Sequence, residues 1–199
     1  MQNSVTNLLI AGVGGQGILL VSEILAEVCM QAGYDVKKSE VHGMAQRGGS
    51  VTSHVRFGTK VYSPLIEQGR ADLLLSFEPL EAMRWSGFLK PDGTILVNDQ
   101  RVEPMTVTSG RVAYPERLME QLKTSTHRVI VVDGLGIARM AGNLRTVNIA
   151  LLGALSNYLD LDKSLWIEAI RHRVPPKTLE ANMKAFEFGR AQYATHRTA

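Results

Sequence analysis

The sequence predicts an α/β fold, a single three-layer α/β/α domain spanning residues 1–199 around a mainly parallel sheet. Short runs rich in Val, Ile and Leu alternate with longer stretches of helical period, as when strands and helices take turns around such a sheet. A chain of 199 residues is of ordinary domain size and can bury a real core unaided. The only cysteine, Cys29, excludes an internal disulfide and leaves no thiolate set for a structural zinc or an iron–sulfur cluster.

The first strand is expected at Leu8 to Ala11, followed by a helix over Gly17 to Ala32. Ile18, Val21, Ile24, Leu25 and Val28 form its apolar stripe, and Gly33 supplies a stop. Strands follow at Asp35 to Val41 and Val51 to Phe57, the latter with a hairpin continuation across Gly58-Thr59 into Val61-Tyr62 that would make the sheet mixed. Further strands are expected at Leu73 to Phe77, Thr94 to Asn98, Arg111 to Ala113 and Arg128 to Asp133. Helices are expected at Pro79 to Phe88, Pro115 to Lys123, Leu144 to Leu159, Lys163 to Arg171 and Thr178 to Gln192, with Pro175-Pro176 separating the last two.

Composition narrows the function classes. Twenty-two Lys and Arg against nineteen Asp and Glu leave a net charge of +3, with no basic run interleaved with aromatics, so no nucleic-acid partner is expected. No window of about 18 residues is apolar enough to span a bilayer, and the N-terminus lacks the features of a signal peptide, so a cytoplasmic location away from the membrane is expected. The five histidines show no i, i+4 pair that would hold a metal, and no serine sits in a G-x-S-x-G elbow. Trp85 and Trp166 suit amphipathic packing at least as well as interface anchoring.

Two motifs remain. Gly12-Val13-Gly14-Gly15-Gln16-Gly17 follows an apolar strand and opens a helix, a Rossmann-like setting in which backbone N–H groups face a phosphate. A dinucleotide site also wants an acid at the end of the second strand; Asp35 lies before that strand and Glu40 late in it. The same glycines suit a turn that merely packs tightly, and both readings stand at this level. The second motif, His42-Gly43-Met44-Ala45-Gln46-Arg47-Gly48-Gly49-Ser50, combines flexible glycines with donors from His42, Gln46 and Arg47. A polar loop at a strand end is where α/β proteins place ligands and partners, although a solvated connection would read the same way.

GVGGQG, the block EVHGMAQRGGSVTSHVRFG from Glu40 to Gly58, ADLLLSFEPLEAMR, TVNIALLGAL and LEANMKAFEFGR together resemble the gamma-type domain of 2-oxoacid:ferredoxin oxidoreductases over nearly the whole chain. Pyruvate-acting relatives often carry Tyr-Gly-x-Glu-x-Arg-Gly-Gly where this chain has His42-Gly43-Met44-Ala45-Gln46-Arg47-Gly48-Gly49, a form that resembles the indolepyruvate branch, whose domain is a separate subunit. The resemblance implies an accessory role in oxidative decarboxylation of indolepyruvate, or another aryl 2-oxoacid, to the acyl-coenzyme A with ferredoxin as acceptor. It places thiamine diphosphate, magnesium and iron–sulfur clusters on a larger partner subunit, and leaves this chain inactive alone. Cofactor-binding residues are then Gly12, Gly14, Gly15, Gln16, Gly17, His42, Gln46, Arg47, Gly48 and Gly49, with coenzyme A the ligand they would contact, and no catalytic or metal-binding residue is expected. Val132-Asp133-Gly134 with Asn157 imitates a thiamine diphosphate motif, but Val132 replaces its first glycine and Asn157 falls in an apolar helix. The rival readings are a free-standing nucleotide-dependent oxidoreductase and a scaffold that only braces the large subunit.

Overall fold

The computed structural model describes residues 5–42, 49–103, 105–108, 110, 113–124 and 127–194, apart from the side chains of residues 42, 105 and 106. Its elements run β1 (Thr6–Val13), α1 (Ile18–Gln31), β2 (Asp35–His42), β3 (Ser50–Gly58), β4 (Ala71–Ser76), α2 (Pro79–Trp85), β5 (Leu89–Asn98), α3 (Met105–Thr108), α4 (Leu118–Lys123), β6 (Arg128–Val132), α5 (Gly134–Met140), α6 (Val147–Leu155), α7 (Lys163–Arg173) and α8 (Leu179–Gln192). The strands form one sheet in the order β2-β3-β1-β4-β5-β6. β1, β4, β5 and β6 are mutually parallel, whereas β3 runs antiparallel to both of its neighbours, β1 and β2.

Strand alternation sends side chains into two helical layers. Leu8, Ile10, Leu73, Leu75, Leu96 and Val132 pack against α1, α5, α6, α7 and α8. Leu9, Ala11, Leu74, Ile95 and Val97 face the other way, onto Ala82 of α2 and Leu122 of α4. Both faces of the central strands are covered, which explains why they read as continuous apolar runs. Cys29 lies fully buried in the larger layer, where burial pushes its thiol up to about 12.

α6 is buried all round, and its neighbour α8 approaches it backbone to backbone. A Cβ on Gly153 would sit 2.2 Å from the Phe186 carbonyl oxygen, and one on Gly189 would sit 2.1 Å from that of Ala150. Close by, Trp166 of α7 is fully buried and stacks on Phe186, with ring centroids 6.1 Å apart.

The sheet is mixed for a different reason than a continued hairpin. β3 itself is the reversed strand, and Val61 and Tyr62 lie outside any strand. Side chains hold the segment after Gly58: the Asp35 carboxylate accepts the Val61 N–H at 2.9 Å, and Arg56 donates to the Ser63 and Leu65 carbonyls. Ala113 is likewise in no strand, and Arg111 and Val112 fall outside the described residues. α5 arises where only a strand end was expected, because the Asp133 carboxylate caps it by accepting the Gly136 N–H at 2.8 Å.

Lys37 and the Val61 N–H hold Asp35 well below the usual carboxylate range, at about 2. A depressed folded value contributes stability that is present above the unfolded value and is lost as pH falls through the folded one. The wild type should therefore lose stability between about 3.8 and about 2, and Asp35→Asn should flatten that part of the profile. Thermal unfolding of both proteins across this range tests the assignment; parallel profiles would refute it.

Candidate functional site at the sheet's switch point

β1, β4, β5 and β6 all end on one rim. From that rim α1 turns to one face of the sheet and α2 to the other, which opens a crevice between the adjacent strands β1 and β4. In open α/β sheets this reversal is where ligands bind.

The glycine turn forms one wall. Gln16 braces it: Oε1 accepts the Val13 N–H at 2.7 Å, and Nε2 donates to the Phe77 carbonyl at 3.2 Å. Gly12 lies against this brace, since an added Cβ would meet Gln16 Oε1 at 2.7 Å and Phe77 Cβ at 2.8 Å. Gly15 and Gly17 take φ of 101° and 85°, a left-handed backbone that disfavours other residues. Gly17 is the N-cap of α1, which carries no side-chain cap and no acid in its first turn. The leading N–H groups of any helix lack partners within it, and among the described residues no side chain caps those of α1.

Two cavities share Gly15. One, of about 440 Å³, is lined by Gly14, Gly15, Ile18, Leu19, Leu20 and Val51. The other, of about 510 Å³, is lined by Gly15, Gln16, Phe77, Gln100, Arg145 and Asn148, among others. Fully buried Asn98 ties the strand ends beside them together, donating to the Phe77 carbonyl at 3.2 Å and accepting the Gly134 N–H at 3.1 Å. A third cavity, of about 560 Å³, lies at the opposite end of the sheet. Two of its cations already have partners: Arg56 donates to the Asn7 amide oxygen at 2.7 Å, and Lys90 pairs with Asp72 at 2.9 Å.

The second motif meets the first where it can be followed. The Gly49 carbonyl accepts the Gly14 N–H at 2.9 Å, and Ser50 pairs with Val13 in the sheet. Ser50 Oγ donates to the buried Glu81 carboxylate at 2.5 Å, which also accepts from Trp85 Nε1 at 3.2 Å and Arg84 at 2.7 Å. His42 closes β2, while its side chain, with Gln46, Arg47 and Gly48, lies outside the described residues. Neighbouring Glu78 caps α2 by accepting the Glu81 N–H at 3.1 Å, and it accepts the Tyr114 hydroxyl. Burial raises the Glu78 carboxyl above its usual range, and burial together with the bond to Glu78 pushes the Tyr114 hydroxyl up.

Reversal of β3 works against a dinucleotide reading. The strand beside β1 at the glycine turn is β3, which begins there with Ser50, so no β2 acid stands where a ribose would lie. Asp35 sits at the far end of β2 on Lys37, and Glu40 pairs with Lys38 at 2.6 Å. Asp133 caps α5 while Asn157 donates to the Arg190 carbonyl at 2.9 Å, so both members of the thiamine diphosphate look-alike have structural tasks. Trp166 packs inside the core, and half-buried Trp85 packs against the smaller layer.

Asn98, Arg145, Asn148 and Glu78 were missed from the sequence. Glu78-Pro79-Leu80-Glu81 carried a helix-start signal, with an acid before a first-turn proline. Asn98 and Asn148 were visible only as lone amides in apolar runs.

Residues 7–192 match the family described as pyruvate ferredoxin/flavodoxin oxidoreductase. The indolepyruvate oxidoreductase subunit IorB of Thermococcus kodakarensis is 42% identical over 190 residues, which cover 92% of this chain and 93% of that one. The gamma subunit of keto/oxoacid ferredoxin oxidoreductase from Geobacter sulfurreducens shares the fold with a TM-score of 0.71 at 24% identity, covering 96% of this chain and 99% of that chain. The 2-oxoglutarate:ferredoxin oxidoreductase of Magnetococcus marinus, solved with 2-oxoglutarate, coenzyme A and succinyl-CoA, gives a TM-score of 0.76 at 19% identity over 98% of this chain and 32% of that one. No helix among the described residues is long and apolar enough to cross a membrane. With the family match running through all six strands and α1 to α8, the chain belongs to the pyruvate ferredoxin/flavodoxin oxidoreductase family.

Proposed function

We propose that this chain, as one domain of residues 1–199, is the accessory subunit of an indolepyruvate:ferredoxin oxidoreductase, and that its glycine turn receives the diphosphate of coenzyme A. The substrate reading rests on the 42% identity to an indolepyruvate oxidoreductase subunit and on His42 to Gly49. A larger subunit would carry thiamine diphosphate, magnesium and iron–sulfur clusters, which supply decarboxylation and electron transfer to ferredoxin. This chain's own residues bind and orient: Gln16 and Gly12 set the turn, Gly17 starts α1, and the α1 amides face the anion.

One observation carries the ligand reading: α1 begins at the crevice with neither a side-chain cap nor a first-turn acid. Leu19, in that turn and 38% exposed, offers the test. Leu19→Glu places a carboxylate beside the helix N-terminus, which favours the helix but repels a bound diphosphate. In the assembled enzyme the variant should keep its melting temperature, while the KM for coenzyme A rises roughly tenfold, or about 1.4 kcal/mol. Indolepyruvate-dependent decarboxylation without coenzyme A should hardly change. An unaltered coenzyme A dependence would return the turn to a packing role, and a complex that prefers pyruvate to aryl 2-oxoacids would overturn the substrate.

A further inference from the structure

β2 is an edge of the sheet: β3 pairs with one side of it, and among the described residues no strand lies against the other. A long open edge presents unpaired N–H and C=O groups to any other strand, and proteins guard it with proline, a bulge, short length or uncompensated charge. The opposite edge, β6, is short at five residues. β2 is eight residues long, contains no proline, and keeps register with β3 without a bulge. Its two lysines are compensated in place, Lys37 by Asp35 at 2.5 Å and Lys38 by Glu40 at 2.6 Å. Val41, 49% exposed, adds apolar surface to the same strand.

The order of charges along β2 selects its occupant. Two copies of the strand that pair antiparallel about a two-fold axis normal to the sheet keep their faces aligned, so each residue meets only positions of its own alternation. Among the registers that pair five or more residues, those centred on Lys37, Lys38 or Glu40 set like charges against each other on the axis. The register centred on Ser39 does not. On the face of the larger helical layer it sets Lys38 opposite Glu40 of the second copy, twice by symmetry. On the other face Lys37 comes opposite Val41 of the second copy, where the lysine stem covers the exposed valine. We propose that β2 joins a second copy of this chain in this register, pairing Val36 to His42 and continuing the six-stranded sheet across the axis. The association is independent of what the glycine turn binds, because β3 separates β2 from β1.

Cysteines placed on and off the axis test the register in the full-length chain. Facing Cα atoms of paired antiparallel strands lie about 4.5–5.5 Å apart, within disulfide reach, so Ser39→Cys should link two copies under mild oxidation. Lys37→Cys should not, because the two copies of that position would stand roughly 13 Å apart along the strands. The native thiol does not compete, since Cys29 is fully buried. Sedimentation equilibrium should show reversible dimers for the wild type. Lys38→Glu should weaken self-association roughly tenfold or more, and adding Glu40→Lys should restore it by swapping the charges. The double variant also keeps the pair within the chain, so its recovery separates association from folding. A monomer at every concentration, or no more cross-linking of Ser39→Cys than of Lys37→Cys, would overturn the proposal. It would equally be overturned if Ser39→Cys, in the assembled enzyme, linked to the larger subunit instead of to a second copy, since β2 would then be that subunit's docking edge.

Discussion

Gly189→Ala is expected to be among the most damaging single-methyl changes at the described glycines, because no side chain can move aside to admit it. The new Cβ would lie 2.1 Å from the Ala150 carbonyl oxygen, and backbone on both helices would have to separate. α6 and α8 then lose the close approach that buries Ile149, Leu152, Ala185 and Phe186. Overpacking a dense core costs about 1–3 kcal/mol, and a backbone-on-backbone clash belongs at the upper end. At about 3 kcal/mol, a chain of this length should melt about 6–12 °C lower. Lys184→Ala serves as the control, since it removes only the exposed pair with Glu180 on the same helix. Equal melting temperatures for Gly189→Ala and wild type would show that α6 and α8 do not touch as described.

Asn98→Leu should cost a similar amount by a different route. The side chain is fully buried and satisfies two backbone groups, the Phe77 carbonyl and the Gly134 N–H. Leucine keeps the branched outline, with bulkier methyl groups, but can satisfy neither. The Phe77 carbonyl keeps its bond from Gln16 Nε2, so the Gly134 N–H is the group left unpaired, at about 1–3 kcal/mol. Function should suffer beyond stability, because Asn98 and Gln16 both donate to the Phe77 carbonyl at the crevice floor. Chemical denaturation should show a lower midpoint at an unchanged slope. If the turn receives coenzyme A as proposed, complex assembled below the variant's melting point should show a raised KM for coenzyme A. Wild-type stability would mean that water replaces both bonds and that the cross-link is dispensable.

The layers were legible in the sequence because β1, β4 and β5 are covered on both faces, and such strands leave continuous apolar runs. Reversal of β3 was not. Its Val-Thr-Ser-His-Val-Arg-Phe alternation fits either direction, and direction is set by which strands flank it. α5 escaped for a related reason: Gly134 and Gly136 argue against a helix locally, while the Asp133 cap and burial of Ile137 and Ala138 override that preference. The same holds at the candidate site. Gly12 to Gly17 announced itself by composition, whereas Asn98 and Asn148 matter only through partners 21 to 131 residues away. His54 shows the converse: a polar residue in a strand that proves to be core, with Nδ1 accepting the Ile66 N–H at 3.1 Å and burial lowering its affinity for a proton.

Placing β1 in the middle of the sheet has a cost during synthesis. Its partners β3 and β4 both follow it in the chain, and β4 ends at Ser76, 63 residues after Val13. At a synthesis rate of roughly 5–20 residues per second, those residues take roughly 3–13 s to emerge. Until β3 is complete at Gly58 both edges of the Leu8, Leu9 and Ile10 segment lack a partner, and the β4 edge stays open to the end of the interval, the form most prone to join another nascent chain. Yield on expression should therefore respond to how well the first 76 residues are sheltered while they wait, a step that comes before any contact with a partner subunit.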